Sequence, residues 1–288
     1  MTGITYGILA AVVWGISPVM VRLGVLGSLD PYDLTALRFL VSGVILLPLV
    51  LRRGLGGLSW GLTLIMATGA GIPFIMVMAG GLLFAPAGHA GIIVPSTMLS
   101  FSMLGGWLVL GDRPDPKRLL GYAVILIGIG VIGREGIDGG FGPKAWIGDL
   151  MFLGSGILWA TYTVAARAAK ADPLHATALV AVVSMVLYLP AYAMWGGLDI
   201  LAAPLSEILL QGFFQGVVTA ILALFFYTRA VACLGAARGA VFAALVPGLS
   251  VLFAYPVLGE VPGWTEMIGV FVVSGGMVYA LGLTRQRG

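Results

Sequence analysis

Charge is what this sequence has least of. Only 9% of its 288 residues are Asp, Glu, Lys or Arg, against roughly 25% in a soluble globular domain. So little charge cannot clothe a surface in water, which excludes a soluble fold and points to the bilayer. Cysteine is nearly absent too. Cys233 stands alone, so an intrachain disulfide is excluded, and the residue reads as a small buried filler. Histidine is confined to His89 and His175. With no H-E-x-x-H, no G-x-S-x-G and no paired carboxylates, the chain has little with which to build an intramembrane enzyme. No enzyme activity, metal or cofactor is expected. A charged ring or carbonyl filter, which a channel would carry, is not evident either. The net charge is only +3, and no nucleic-acid partner is expected. No polar stretch is long enough to fold as a separate soluble domain.

What is abundant is apolar sequence, 60% of the chain. Runs near twenty residues, separated by short Gly, Pro and charge punctuation, predict ten transmembrane helices and an all-α integral membrane fold. The spans fall near 4–24, 32–51, 59–82, 87–110, 117–134, 146–169, 173–195, 207–231, 236–258 and 263–284. The apolar N-terminus has no basic leader and runs on too long for a cleaved signal, so it reads as the first span. Basic residues set the topology. Eleven of the fifteen fall on the side holding both termini and the loops after even-numbered spans: Arg52, Arg53, Arg113, Lys117, Arg118, Arg167, Lys170, Arg229, Arg238, Arg285 and Arg287. Arg22, Arg134 and Lys144 fall on the other side, and Arg38 lies within a span. The positive-inside rule therefore places both termini in the cytoplasm.

The two halves echo each other. Trp14 precedes Arg22 by eight residues, and Trp159 precedes Arg167 by the same eight. Asp30-Pro31 opens the second span and Asp172-Pro173 the seventh. "VLGDRPDPKRLLGYAVILIG" (109–128) aligns with "VLGEVPGWTEMIGVFVVSGG" (257–276), matching Gly111, Asp112, Pro114, Gly121 and Gly128 with Gly259, Glu260, Pro262, Gly269 and Gly276. Pro95 and Pro247 match in the fourth and ninth spans. An odd number of spans per half inverts the second half relative to the first, around a central cavity, an arrangement that lends itself to alternating access. The expected organisation is a first five-helix repeat over 1–134, a periplasmic linker over 135–145 and a second, inverted repeat over 146–288.

These residues carry a resemblance. Two halves that each close with L-G-[DE]-x-P and then two spaced glycines, together with A36-L-R-F39, resemble the drug/metabolite transporter superfamily, with the EamA-type repeat as the best match. Within it the chain resembles bacterial amino-acid exporters, including those for aromatic amino acids. The resemblance implies an inner-membrane carrier with a cavity lined by the first, third, fourth, sixth, eighth and ninth spans. It also implies peripheral fifth and tenth spans. Asp112 and Glu260 look structural at their helix ends. Exporters of other drugs or metabolites are the alternative within the same superfamily, and the partners implied are a small-molecule substrate and the lipid bilayer. Monomer and homodimer both stay open, since the Gly-rich fifth and tenth spans suit packing within one chain or between two.

Candidate cargo-binding residues follow from polarity in apolar spans. Trp14 and Trp159 lie mid-span, away from the interfacial belts where tryptophan gathers, and offer stacking faces. Ser17, Tyr162 and Thr163 give them a polar neighbourhood. Met76 offers soft contact surface in a span weakened by Gly69, Gly71 and Pro73. His89, Ser96 and Met98 line FAPAGHAGIIVPSTMLSF (84–101), and Gln215 follows Gln211 by one turn in the eighth span. Pro95 and Pro247 are candidate hinges. His89 aligns with Val241 through those prolines, so the shared scaffold does not demand it. Arg38 reads as a structural charge belonging to the repeat pattern. His175 reads as an exposed cap residue, Asp149 as an acid suited to a helix start, and Phe225-Phe226-Tyr227 as lipid-facing bulk.

Overall fold

A computed structural model describes residues 2–137, 142–195, 199–235, 238–239 and 241–281. The described residues are all-helical. Among them, nine helices are long and apolar enough to cross a membrane, and a further apolar helix is shorter. The helical elements, some of which join into one span, are in chain order α1 (Gly3–Leu26), α2 (Pro31–Arg53), α3 (Trp60–Ala70), α4 (Ile72–Gly81), α5 (Ala87–Leu110), α6 (Pro116–Ile137), α7 (Ala145–Ala168) and α8 (Pro173–Met194). Then come α9 (Leu205–Phe213), a π-helical stretch over Phe214–Leu222, α10 (Ala223–Leu234), α11 (Val246–Leu258) and α12 (Trp264–Ala280). Parts of five expected segments lie outside the described residues: 138–141 of the linker, 196–198 of the loop before the eighth span, 236–237 and 240 of the ninth span, 282–284 of the tenth span, and the tail with Arg285 and Arg287.

Local chemistry explains where the helices begin. Asp30 Oδ1 accepts from Asp33 N–H at 2.8 Å, and Asp33 Oδ2 accepts from Asp30 N–H at 2.9 Å, closing a reciprocal cap over Pro31. Burial pushes the Asp30 carboxyl up from its ordinary value, with the charge of Asp33 adding to it. Asp172 caps α8 through one such bond, accepting from His175 N–H at 2.8 Å.

The third span breaks where its glycines foretell a weak ladder. Gly71 joins α3 to α4, and a Cβ there would collide with Ala67 O and Ser184 Oγ, so no larger residue fits without movement. Pro73 then opens α4 without an N–H to lose. The π stretch has no counterpart among the sequence-based expectations. It sits in the middle of one span, and such bulges concentrate at functional sites.

α6 and α12 pack against each other within the one chain, through the repeated glycines. A Cβ on Gly121 would meet the Ala280 backbone at 2.6–2.7 Å, and one on Gly269 would meet Ile132 at 2.5 Å. Gly128 faces Val273 and Gly276 faces Ile125 in the same seam. The closing motif of each half thus feeds a helix into a small-residue crossing. Gly121→Val is expected to destabilise the fold by about 1–3 kcal/mol through overpacking, seen as a lower thermal unfolding midpoint in detergent. Gly130→Val, where a Cβ has open space, is the control and leaves the midpoint near native.

Candidate functional site: a central cavity between two cross-chain ion pairs

A cavity of about 90 Å³ opens between α1, α2, α3, α7, α8 and the π stretch with the start of α10. Its walls include Trp14, Arg38, Phe39, Ala70, Trp159, Tyr162, Thr177 and Thr219. The fourth and ninth spans, α5 and α11, expected on this wall, do not line it. The second and seventh, α2 and α8, do. The volume is below the few hundred cubic ångströms of a typical small-molecule pocket, so an amino-acid-sized cargo requires the walls to part.

The aromatic lining is organised in ring pairs, edge to face around Trp159 and tilted at Trp14. Trp159 meets Phe74 at 4.6 Å and Tyr162 at 5.9 Å between ring centroids, and Trp14 meets Tyr227 at 5.2 Å. Such pairs leave ring faces and edges available to a flat apolar group. Tyr227, expected to be lipid-facing bulk, is instead packed on a cavity tryptophan.

Arg38 is the charged member of the wall. It is only 7% exposed, and among the described residues no carboxylate or carbonyl accepts from its guanidinium. Its backbone carbonyl is taken by Ser42 Oγ at 2.6 Å. An unneutralised cation about two turns inside a transmembrane helix costs roughly 2.5–3.5 kcal/mol on insertion scales. A guanidinium presents a planar fork of donors that matches a carboxylate. Thr219 adds a buried hydroxyl, also without a hydrogen-bond partner among the described residues.

Of the residues singled out from sequence, the cavity gathers Trp14, Trp159, Tyr162 and Arg38. Ser17 is buried on α1, and Met76 and Met98 are half-buried on α4 and α5. Thr163 Oγ1 donates to Trp159 O at 3.0 Å, and Ser96 Oγ donates to Ile92 O at 2.5 Å. Gln215 is buried and donates to Gln211 Oε1 at 3.3 Å, while Gln211 Nε2 donates to Met20 O at 2.7 Å. The glutamines therefore tie the π stretch to α1. Pro95 lies inside α5, and Pro247 lies at the start of α11 after a short 3₁₀ turn.

His89 is fully buried, and its Nδ1 lies 2.8 Å from Asp149 Oδ1, joining α5 to α7. Asp149 is thus more than an acid at a helix start. His175 is buried rather than exposed, because Gly56 in the turn after α2 lies against its ring. Cys233 is exposed, not buried.

Two ion pairs that no local sequence pattern connects join distant parts of the chain. Arg22 Nε donates to Glu260, and its Nη1 donates to Leu82 O at 2.5 Å and Ala85 O at 2.6 Å. Glu260 Oε2 also accepts from Ala87 N–H at 2.9 Å, at the start of α5. Beyond the far end of α5, Arg167 Nη2 donates to Asp112 Oδ2 at 2.5 Å. The available signal is the shared eight-residue spacing from Trp14 and Trp159, together with the acid repeated in both closing motifs.

Comparison with known proteins adds the family context. The model of the EamA-like transporter family matches residues 1–134 and 146–282. An uncharacterized transporter of Archaeoglobus fulgidus is 25% identical over 93% of this chain and 93% of its own length. A probable terminal-alkyne amino-acid exporter of Streptantibioticus cattleyicolor is 26% identical, covering 91% of this chain and 87% of that protein. A probable amino-acid metabolite efflux pump of Escherichia coli is 28% identical over 53% of this chain and 49% of its own. One solved crystal structure is 21% identical with a TM-score of 0.65, covering 99% of both chains, and bears on the fold alone.

Proposed function

The chain belongs to the EamA-like transporter family, and on that premise we propose that it exports small amphipathic metabolites, chiefly amino acids with aromatic or apolar side chains. The observation that carries this reading is Arg38, a buried cation with no acidic partner among the described residues, on the wall of a cavity whose other walls are aromatic. An amino acid supplies both complements. Its carboxylate neutralises the guanidinium in a low-dielectric setting, where charge-assisted hydrogen bonds are strong. Its side chain packs among Trp14, Trp159 and Tyr162. Thr219 is placed to accept from the amino group. Two relatives named as amino-acid exporters or efflux pumps support the same cargo class.

In this reading the chain forms ten spans as two inverted five-helix repeats, 1–134 and 146–288, joined by a periplasmic linker over 135–145. It resides in a bacterial inner membrane with both termini in the cytoplasm. Alternating access comes from the two repeats rocking about the cavity, with Pro95 and Pro247 as hinges, and each opening brings further groups to the path. Ser17, Met76, Ser96, Met98, Thr163, Gln215 and His89 are the candidates on the segments that move.

The test is exchange in proteoliposomes, with a panel of labelled amino acids run with and without a pH gradient. Saturable exchange of phenylalanine, tryptophan or leucine, well above that of aspartate or lysine, is the expected result. If no labelled amino acid moves in either direction, the cargo assignment is wrong.

A further inference from the structure

The two cross-chain ion pairs have matching anatomy. In each, an arginine lies eight residues beyond a cavity tryptophan on the same helix, Trp14 to Arg22 on α1 and Trp159 to Arg167 on α7. Eight residues of helix is about 12 Å, a little over two turns. Each arginine grips the acid of the closing motif from the opposite half of the chain, Glu260 for Arg22 and Asp112 for Arg167. The pairs sit at the two ends of α5. Glu260 caps its first residue through Ala87 N–H, and Asp112 follows its last turn. The 24 residues between extend about 35 Å, enough to span the hydrocarbon core.

Their settings differ. The Arg22 and Glu260 side chains are 16% and 15% exposed, and Arg22 also holds two carbonyls of the connection between α4 and α5. The Arg167 and Asp112 side chains are 51% and 55% exposed, and among the described residues Arg167 has no hydrogen-bond partner for its guanidinium other than Asp112. The first pair is the more buried and the more heavily hydrogen-bonded, while the second is exposed enough for water to compete for it.

We propose that Arg22–Glu260 and Arg167–Asp112 are the two latches of the transport cycle. Breaking the first opens the cavity outward, and breaking the second opens it inward. This rests on the alternating-access reading above. Both pairs are formed here, which agrees with the contracted cavity. A helix that carries a cavity tryptophan and a latch arginine transmits any parting of the walls by cargo to one end of the molecule, and α5 links the two ends through Pro95. The acid repeated in both closing motifs thereby gains a role beyond ending a helix.

The test reads opening directly and needs no cargo. In a Cys233→Ser background, Ala220→Cys places a thiol on the cavity wall. A membrane-impermeant maleimide is then applied to right-side-out or inside-out vesicles. Glu260→Gln is expected to raise labelling from the outer side about tenfold and lower it from the inner side, a coupling within the usual allosteric range. Asp112→Asn and Arg167→Gln are expected to shift labelling the other way, by less, because their pair is exposed. Arg22→Gln combined with Glu260→Gln should shift labelling by less than the sum of the two single shifts, since the ion pair is counted in both. Labelling that does not change, or that shifts in the same direction for both pairs, overturns the latches. The inner-pair variants, at an exposed contact, keep the latches falsifiable even if Glu260→Gln fails to fold. Directional shifts in a protein that moves no amino acid would retain the latches and reject the cargo.

Discussion

Arg38→Gln is expected to lower amino-acid exchange in proteoliposomes by about two orders of magnitude or more, while leaving the protein at least as stable as native. The activity loss follows from removing one side of a desolvated, hydrogen-bonded charge pair formed with the cargo, an effect of about 2–5 kcal/mol. The stability expectation runs opposite to that of a structural arginine. In the empty protein Arg38 has no acid to neutralise it among the described residues, so its burial is a cost that glutamine avoids. A structural role, in which the guanidinium knits helices together, predicts the reverse: a lower unfolding midpoint, with the surviving folded fraction exchanging normally. Measuring exchange and thermal unfolding on one preparation separates the two. Arg38→Lys keeps the charge but loses the planar fork, and is expected to fall between native and glutamine.

The second large effect concerns stability at His89. Replacing it by valine leaves the Asp149 carboxylate buried without the imidazole, and the expected destabilisation is about 3–5 kcal/mol. Aligned through Pro95 and Pro247, His89 falls opposite Val241 in the sequence. His89→Val with Asp149→Val is expected to recover most of the stability lost by either single change, since replacing both partners of a buried hydrogen bond leaves neither polar group unpaired. A double-mutant cycle on the unfolding free energies measures the coupling. Additive losses would show that His89 and Asp149 act separately.

Much of the architecture is legible because hydropathy over windows of about twenty residues is a strong signal. The expected spans from 4–24 to 87–110 match α1 to α5 within a few residues, including the weakness at Gly71. The packing of α6 on α12 is readable as a possibility from Gly121, Gly128, Gly269 and Gly276, but its placement within one chain needs three dimensions. The π stretch over Phe214–Leu222 is not legible, since an i to i+5 bonding pattern leaves no composition mark.

The lining of the cavity is legible in its aromatic part, and the long-range charge pairings are not. Trp14, Trp159 and Tyr162 announce themselves by standing mid-span among hydroxyls, and they meet at the cavity. Arg38 reads as scaffold because A36-L-R-F39 belongs to a repeated pattern, yet pattern membership says nothing about which way a side chain faces. Arg22 and Glu260 are 238 residues apart, and His89 and Asp149 are 60 apart. Such pairings depend on which helices become neighbours, which no local window contains.

A cavity that reads a carboxylate with Arg38 and an apolar side chain with its aromatic wall must distinguish an amino acid from its amide. Counterflow of labelled phenylalanine, competed by phenylalanine and by phenylalaninamide, measures that distinction. Saturable counterflow is expected, inhibited by phenylalanine at least about tenfold more strongly than by the amide, the difference expected when a charge-assisted hydrogen bond is lost. Arg38→Gln is expected to erase that preference. Equal inhibition by acid and amide in the native protein would contradict a carboxylate-reading cavity.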